Sequence, residues 1–242
     1  MFGLGTIVNV FAVLGGGFIG LFLRGGMNPR YQEAIVRAMG LSTIFIAVSG
    51  VLPGLLQTEN GMLVSTPISV SLGMILSMAI GTLIGEFLDL DGKLERFGGW
   101  LKKKASRGED NQFIEGFVTA SLTICIGAMA IVGSIQDGLV GDPSTLFTKS
   151  VLDAIIMVVF ASTYGKGALF SAIPVAILQG GVTIFAGLLA PVFTEAIIAN
   201  LSFLGAILIF CVGCNLAFQA KFRVANMLPA LIVGAVYTTI LG

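Results

Sequence analysis

The sequence contains no histidine, which excludes imidazole metal sites and histidine acid–base chemistry. Charge is scarce as well. Only 11% of the residues are Asp, Glu, Lys or Arg, against roughly 25% in soluble domains, too few to clothe a water-facing surface. The 13 basic and 13 acidic residues cancel, so the basic surface that a nucleic-acid partner needs is missing. The three cysteines, Cys125, Cys211 and Cys214, all sit in apolar runs and read as small buried hydrophobes, not as a disulfide framework or zinc site. There is no GxSxG elbow, P-loop, HExxH pair or metal-ligand cluster, so the sequence predicts no enzyme. No loop has room for a nucleotide domain, which leaves passive or ion-gradient-driven movement as the transport modes of this chain alone. No cofactor is expected beyond a bound monovalent cation.

What the chain has is hydrophobic length. Apolar residues make up 56% of it, the mean hydropathy is +1.00, and several runs approach the ~20 residues that cross a bilayer. We read an all-α polytopic transmembrane helix bundle of eight spans, at 3–23, 38–56, 68–88, 113–134, 147–164, 168–192, 201–218 and 224–241. Lipid is the first partner of the single membrane domain 1–242. The first run has no basic start, and Arg24 follows it, so it reads as a retained helix and not as a cleaved signal. Between the spans we expect a basic amphipathic connection at 24–37 and a neutral loop at 57–66. The longest polar segment, 89–111, reads as an amphipathic interfacial piece around Trp100 followed by a mobile loop. A polar insert at 134–149 and a tight break at Gly165-Lys166-Gly167 complete the connections.

Loop charge supports this count. Arg24, Arg30 and Arg37 follow the first span, Lys93 through Arg107 the third, Lys166 the fifth, and Lys221 and Arg223 the seventh. The alternate loops hold only Lys149, beside Glu59, Asp137, Asp142 and Glu195. The positive-inside rule then places both termini outside the cytoplasm. An internal echo is also visible. The segment 117–130 (FVTASLTICIGAMA) lies over 203–216 (FLGAILIFCVGCNL) without a gap, and Val151-Leu152-Asp153-Ala154 resembles Val224-Ala225-Asn226-Met227. Gly81 and Gly85 with Phe87-Leu88 likewise echo Gly16 and Gly20 with Phe22-Leu23. On this reading 1–66 is a first helix pair, 67–165 one repeat and 166–242 a second. Triplets of opposite orientation of this sort typify secondary transporters; chance likeness among apolar helices is the competing account.

Several stretches carry a family resemblance: VTASLTICIGAMAIVGSIQDGLVGDPSTLFTKSVLDAI, GALFSAIPVAILQGG, VANMLPALIVG, the opening GTIVNVFAVLGGGFIGLFL, and GEFLDLDGKLER. On these the chain resembles the DUF554 family of bacterial and archaeal inner-membrane proteins over nearly its whole length. The resemblance implies the membrane location and the helix count. For function it implies at most a sodium channel or pump, or a role in biofilm formation in one branch.

The polar residues inside spans are the candidate site. Asp153, in the fifth span, is costly in a hydrophobic segment and needs a partner, a cavity or a role. Asn226 is its counterpart in the repeat, and we expect the two to pair. Asn9, Gln179, Asn215 and Asn226 supply neutral oxygens suited to an ion or polar solute, and they equally suit interhelical hydrogen bonds. Gln136, Asp137 and Asp142 in the polar insert read as a cation-attracting vestibule or as an ordinary turn, with Asp142 capping the chain at Pro143. Gly180-Gly181 after Gln179, with Pro174 upstream, fit a discontinuous helix, as do Gly15-Gly16-Gly17, Gly127 and Gly133, unless they serve close packing. Glu86, Asp89 and Asp91 read either as a cytoplasmic gate or as partners of Lys93 and Arg96. Two functions follow: transport of a small ion or polar solute through a midplane site, sodium-linked if the family resemblance holds, or a non-transporting envelope or signalling component. The small-residue helix faces suggest a homodimer.

Overall fold

The eight apolar runs are helical over their described residues, but one is bent and one begins much earlier than its hydropathy suggests. The computed structural model describes residues 3–24, 28–59, 62–105, 112–125, 128–189, 191 and 193–241. Its helices are α1 (Leu4–Arg24), α2 (Pro29–Leu55), α3 (Ile68–Leu88), α4 (Leu90–Ala105), α5 (Phe113–Cys125), α6 (Ala128–Leu139) and α7 (Ser144–Tyr164). They continue with α8 (Lys166–Leu169), α9 (Ala172–Ile184), α10 (Ala186–Leu189), α11 (Glu195–Phe218), α12 (Val224–Met227) and α13 (Pro229–Leu241). Six stretches are each long and apolar enough to cross a membrane. The α5–α6 pair, bent by 61°, and the shorter 224–240 stretch account for the remaining two runs. The fold is that of an all-α polytopic membrane protein.

The starts and stops follow local chemistry. Asn28 precedes Pro29, and its side chain accepts the Arg30 N–H at 3.0 Å. That arrangement, with proline at the first helical position, carries α2 back through the expected 24–37 connection, where Arg37 pairs with Glu33 one turn away at 2.6 Å. Thr194 caps α11 by accepting the Ile197 N–H at 3.3 Å. Asp142, as expected, accepts the Ser144 N–H at 3.0 Å at the start of α7. The neutral loop at 57–66 is instead a hairpin, with β1 (Leu56–Glu59) paired antiparallel to β2 (Met62–Ser65), Leu56 opposite Ser65 and Glu59 opposite Met62. The amphipathic piece after the third span is α4; the mobile loop expected beyond it falls on 106–111, outside the described residues.

The chain forms two compact units. One comprises Met1–Ala38 and Gly92–Pro191, the other Met39–Asp91 and Val192–Gly242. They draw on non-consecutive segments, a different division from the consecutive triplets of the sequence.

In the first unit α1 and α7 pack against each other along their length, because glycines let their backbones meet. A methyl group on Gly16 would collide with the Ala154 carbonyl, and one on Gly20 with that of Val158. The contacts ascend together, so the two helices run parallel. Phe113 and Phe117 of α5 and Leu101 of α4 form an apolar cluster, and Gly167 lets α8 lie against the backbone of Phe113. In the second unit α3 buries Gly73, Ser77, Gly81 and Gly85, one small residue per turn. Gly81 meets Ala230 and Gly85 meets the Asn226 carbonyl, so α3 runs antiparallel to α12–α13. The Gly16–Gly20 and Gly81–Gly85 echo is therefore one of packing mode, with opposite helix directions.

Polarity is inverted relative to a water-soluble fold. On α1 the buried residues are Gly5, Thr6, Asn9, Val13, Gly16, Gly17 and Gly20, while Phe11, Phe18 and Phe22 are exposed. A soluble domain does not leave such a large apolar face to water; in a bilayer that face is the solvated one.

Candidate functional site

The first unit brings four buried polar side chains from three helices into one network. Asn9 of α1, Lys149 and Asp153 of α7, and Gln179 of α9 are 0%, 6%, 4% and 1% exposed. Asn9 donates through Nδ2 to Asp153 Oδ2 and to Gln179 Oε1, each at 3.0 Å. Lys149 Nζ pairs with the same Asp153 oxygen and donates to the Ile124 carbonyl at 2.8 Å. Ile124 lies near the end of α5, just before the bend into α6.

One turn along α1 and α9 is a second cluster. Thr6 and Thr183 hydroxyls lie 2.8 Å apart, and the Thr6 N–H donates to Asp137 Oδ2 at 3.1 Å. Asp137, on α6, is 0% exposed. Among the described residues the clusters leave three buried polar atoms without a hydrogen-bond partner: Asn9 Oδ1, Gln179 Nε2 and Asp137 Oδ1. The chemistry fixes which atoms these are. A carboxylate only accepts, so Asn9 must turn its NH2 toward Asp153. Gln179 must then present its oxygen to that NH2, leaving its own NH2 over. Buried polar atoms are almost always satisfied, so this interior offers both donor and acceptor sites to a water, an ion or a polar solute.

Several expectations change here. The polar insert at 134–149 is mostly helix: Ser134 through Leu139 end α6, Ser144 starts α7, and the link between them is short. Asp137 is thus buried on a helix and not in a loop. Gln136 is half-buried and accepts the Thr145 hydroxyl at 2.7 Å. Asp153 lies mid-helix on α7. Its hydrogen-bond partners are Asn9 and Lys149, whereas Asn226, 0% exposed in the second unit, accepts the Asp91 N–H at 2.7 Å. Asn215 holds the chain beyond α11, donating to the Phe222 carbonyl and accepting its N–H, both at 2.9 Å.

Glu86 and Asp89 pair with Arg223 at 2.6 and 2.9 Å, with Asp91 at 3.8 Å. Burial raises the Asp91 carboxyl above its ordinary value, and Arg223 pulls it the other way. Gly127 lies outside the described residues. Gln179 lies within Lys166–Ile184, a stretch long enough to cross a membrane, with turns at Phe170-Ser171 and Phe185, and α1 is continuous through Gly15-Gly16-Gly17. Lys149, Thr6 and Thr183 were not among the expected site residues. The signal for Lys149 was its spacing, one helical turn before Asp153.

An apolar exterior over several bilayer-length helices, with carboxylates, an ammonium and amides enclosed within, defines a multi-pass membrane protein. The chain belongs to the DUF554 family, described as "Protein of unknown function (DUF554)", whose model matches residues 4–239. It is similar to the "Uncharacterized membrane protein YdfK" of Bacillus subtilis (strain 168), at 29% identity over 229 residues, 95% of this chain and 93% of that one. It is also similar to the "Uncharacterized protein YqgA" of Escherichia coli (strain K12), at 28% identity over 237 residues, 95% and 94% of the respective chains. No solved structure matches.

Proposed function

We propose that the protein moves a small ion or polar solute across the cell membrane, as a secondary transporter or channel, through the polar interior of the first unit. The observation that supports this most is the set of unpartnered atoms Asn9 Oδ1, Gln179 Nε2 and Asp137 Oδ1 beside the Lys149–Asp153 pair. A charge at the centre of a spanning helix costs about 2.5–3.5 kcal/mol on insertion scales, and a network retained only for packing would be replaceable by apolar side chains. The small exposure of every member describes an occluded state, so passage requires the helices around the network to move.

Eight spans with both termini outside the cytoplasm suit this reading. Strict alternation makes the first and fifth spans parallel and the third and eighth antiparallel, the senses that the glycine contacts give α1 with α7 and α3 with α12–α13. A re-entrant α5–α6 would break that agreement. Moving Lys149 out of the loop tally also sharpens the basic asymmetry.

A non-transporting role is favoured by one feature: the Lys149–Asp153 pair is charge-neutral and joins α7 to α5 through Ile124, as a purely structural clamp would. Flux assays in liposomes with sodium, protons and small organic solutes separate the two. Transport predicts flux that Asp153→Asn and Gln179→Ala change in rate or selectivity. Folded protein without flux of any of these, and substitutions that alter stability alone, would leave only the structural role.

A further inference from the structure

The two buried carboxylates of the first unit sit in opposite charge environments. Asp153 faces an ammonium and an amide NH2 on the same oxygen, so its charge is compensated, and a cation there would have to displace a bonded lysine. Asp137 has no such neighbour: among the described residues no Lys or Arg pairs with it, its one hydrogen bond is the Thr6 N–H, and Oδ1 is buried and unpartnered. That N–H belongs to the first turn of α1, where the helix end offers only about half a positive charge. The carboxylate is therefore left under-compensated in an apolar surround.

From this we infer that Asp137, with the hydroxyls of Thr6 and Thr183, forms a binding site for a monovalent metal cation, separate from the Lys149–Asp153 pair. The inference rests on the transport reading for its purpose but not for its geometry. Three helices bring the oxygens together: α6 carries Asp137, α1 carries Thr6, and α9 carries Thr183 in its last turn. The approach of α6 to the end of α9 is close enough that a methyl group on Gly138 would collide with the Thr183 carbonyl. The Thr6–Thr183 contact uses one hydroxyl hydrogen, and both oxygens keep lone pairs. The end of α9, just before the turn at Phe185, carries the partial negative charge of a helix C-terminus, the kind of end at which interrupted spans hold cations. Every donor atom is oxygen, which selects a hard cation. One carboxylate among neutral hydroxyls balances a single positive charge, not two.

The test uses purified full-length protein in detergent, with thermal unfolding followed in lithium, sodium or potassium chloride against choline chloride at equal ionic strength. Binding of radiolabelled sodium is measured in parallel. At least one of the three cations should raise the Tm by about 3 °C or more at saturation. Asp137→Asn should abolish that rise while still accepting the Thr6 N–H through its amide oxygen, and Thr183→Val should weaken binding about tenfold or more. Asp153→Asn should leave the cation-dependent rise in place. Wild-type protein indifferent to all three cations, or an Asp137→Asn protein with the full rise, overturns the site. So does a rise lost in Asp153→Asn and kept in Asp137→Asn. Binding without flux in liposomes would remove the transport reading and leave the site standing, whereas flux through a protein indifferent to all three cations would do the reverse.

Discussion

Lys149 and Asp153 occupy successive turns of α7, both nearly out of solvent, and the Lys149 ammonium also reaches the Ile124 carbonyl at 2.8 Å. An ammonium and a carboxylate placed singly in a bilayer each carry a large desolvation cost; placed one turn apart they cancel most of it locally. The second of these bonds extends the pair from a matter within one helix to a tie between α7 and α5, next to the bend between α5 and α6.

The pair should respond asymmetrically to mutation. Asp153→Asn strands the ammonium and should cost about 3–5 kcal/mol, the range for breaking a buried ion pair. Lys149→Met strands the carboxylate, softened because Asn9 still donates to it. The double variant Lys149→Met/Asp153→Asn, neutral throughout, should recover much of the loss. A thermal-unfolding double-mutant cycle should return a coupling of about 0.5–3 kcal/mol; additive losses would mean that the two do not interact.

Adjacent glycines on α1 should behave in opposite ways. Nothing lies within 4 Å of a methyl group built on Gly15, whereas one on Gly16 meets the Ala154 backbone. Gly15→Ala should raise the unfolding temperature, because alanine in a helix interior is favoured by roughly 0.5–1 kcal/mol. Gly16→Ala should lower it, with about 1–3 kcal/mol lost to forced separation of the backbones. Gly85→Ala should resemble Gly16→Ala, since the Asn226 carbonyl stands in the same relation to it.

At the Arg223 cluster the response to pH has a defined sign. Burial lifts the Asp91 carboxyl above 3.8, with the Arg223 guanidinium opposing, so the folded state holds that proton more tightly than the unfolded one. Asp91 therefore contributes stability that is present below its unfolded value and is lost as pH rises from about 3.8 through the folded value. Thermal unfolding from pH 3 upward should show wild type losing ground to Asp91→Asn across that window. A wild-type curve that gains on the variant there would reverse the sign.

The spans were legible in the sequence because apolar runs and their Pro, Gly and Asn punctuation are local. Ile68–Leu88 is read to the residue, and the start of α2 was available in Asn28-Pro29. What escaped was the polar interior. In a membrane protein a buried polar helix segment has the composition of a loop, so Ser134–Leu139 and Lys149 pass for one. Asn9, Gln179 and Asp153 stood out singly because each interrupts a hydrophobic run. That Asn9 links the other two depends on α1, α7 and α9 meeting, contacts separated by 144 and 170 positions in the chain. Nothing local indicates Asp91 as the partner of Asn226.

The place of Asn9 in the network makes its loss costlier than that of Gln179. Asn9→Ala withdraws a donor from Asp153 and leaves the Gln179 oxygen bare as well, and each buried atom left unsatisfied costs about 1–3 kcal/mol. Gln179→Ala removes the unpartnered Nε2 together with the oxygen, and Asn9 keeps its bond to the carboxylate. Thermal unfolding should accordingly rank wild type above Gln179→Ala and Gln179→Ala above Asn9→Ala. If Gln179 is retained to face a passing solute, its alanine variant should alter flux out of proportion to its small loss of stability. If its role is packing alone, flux should follow stability across both variants.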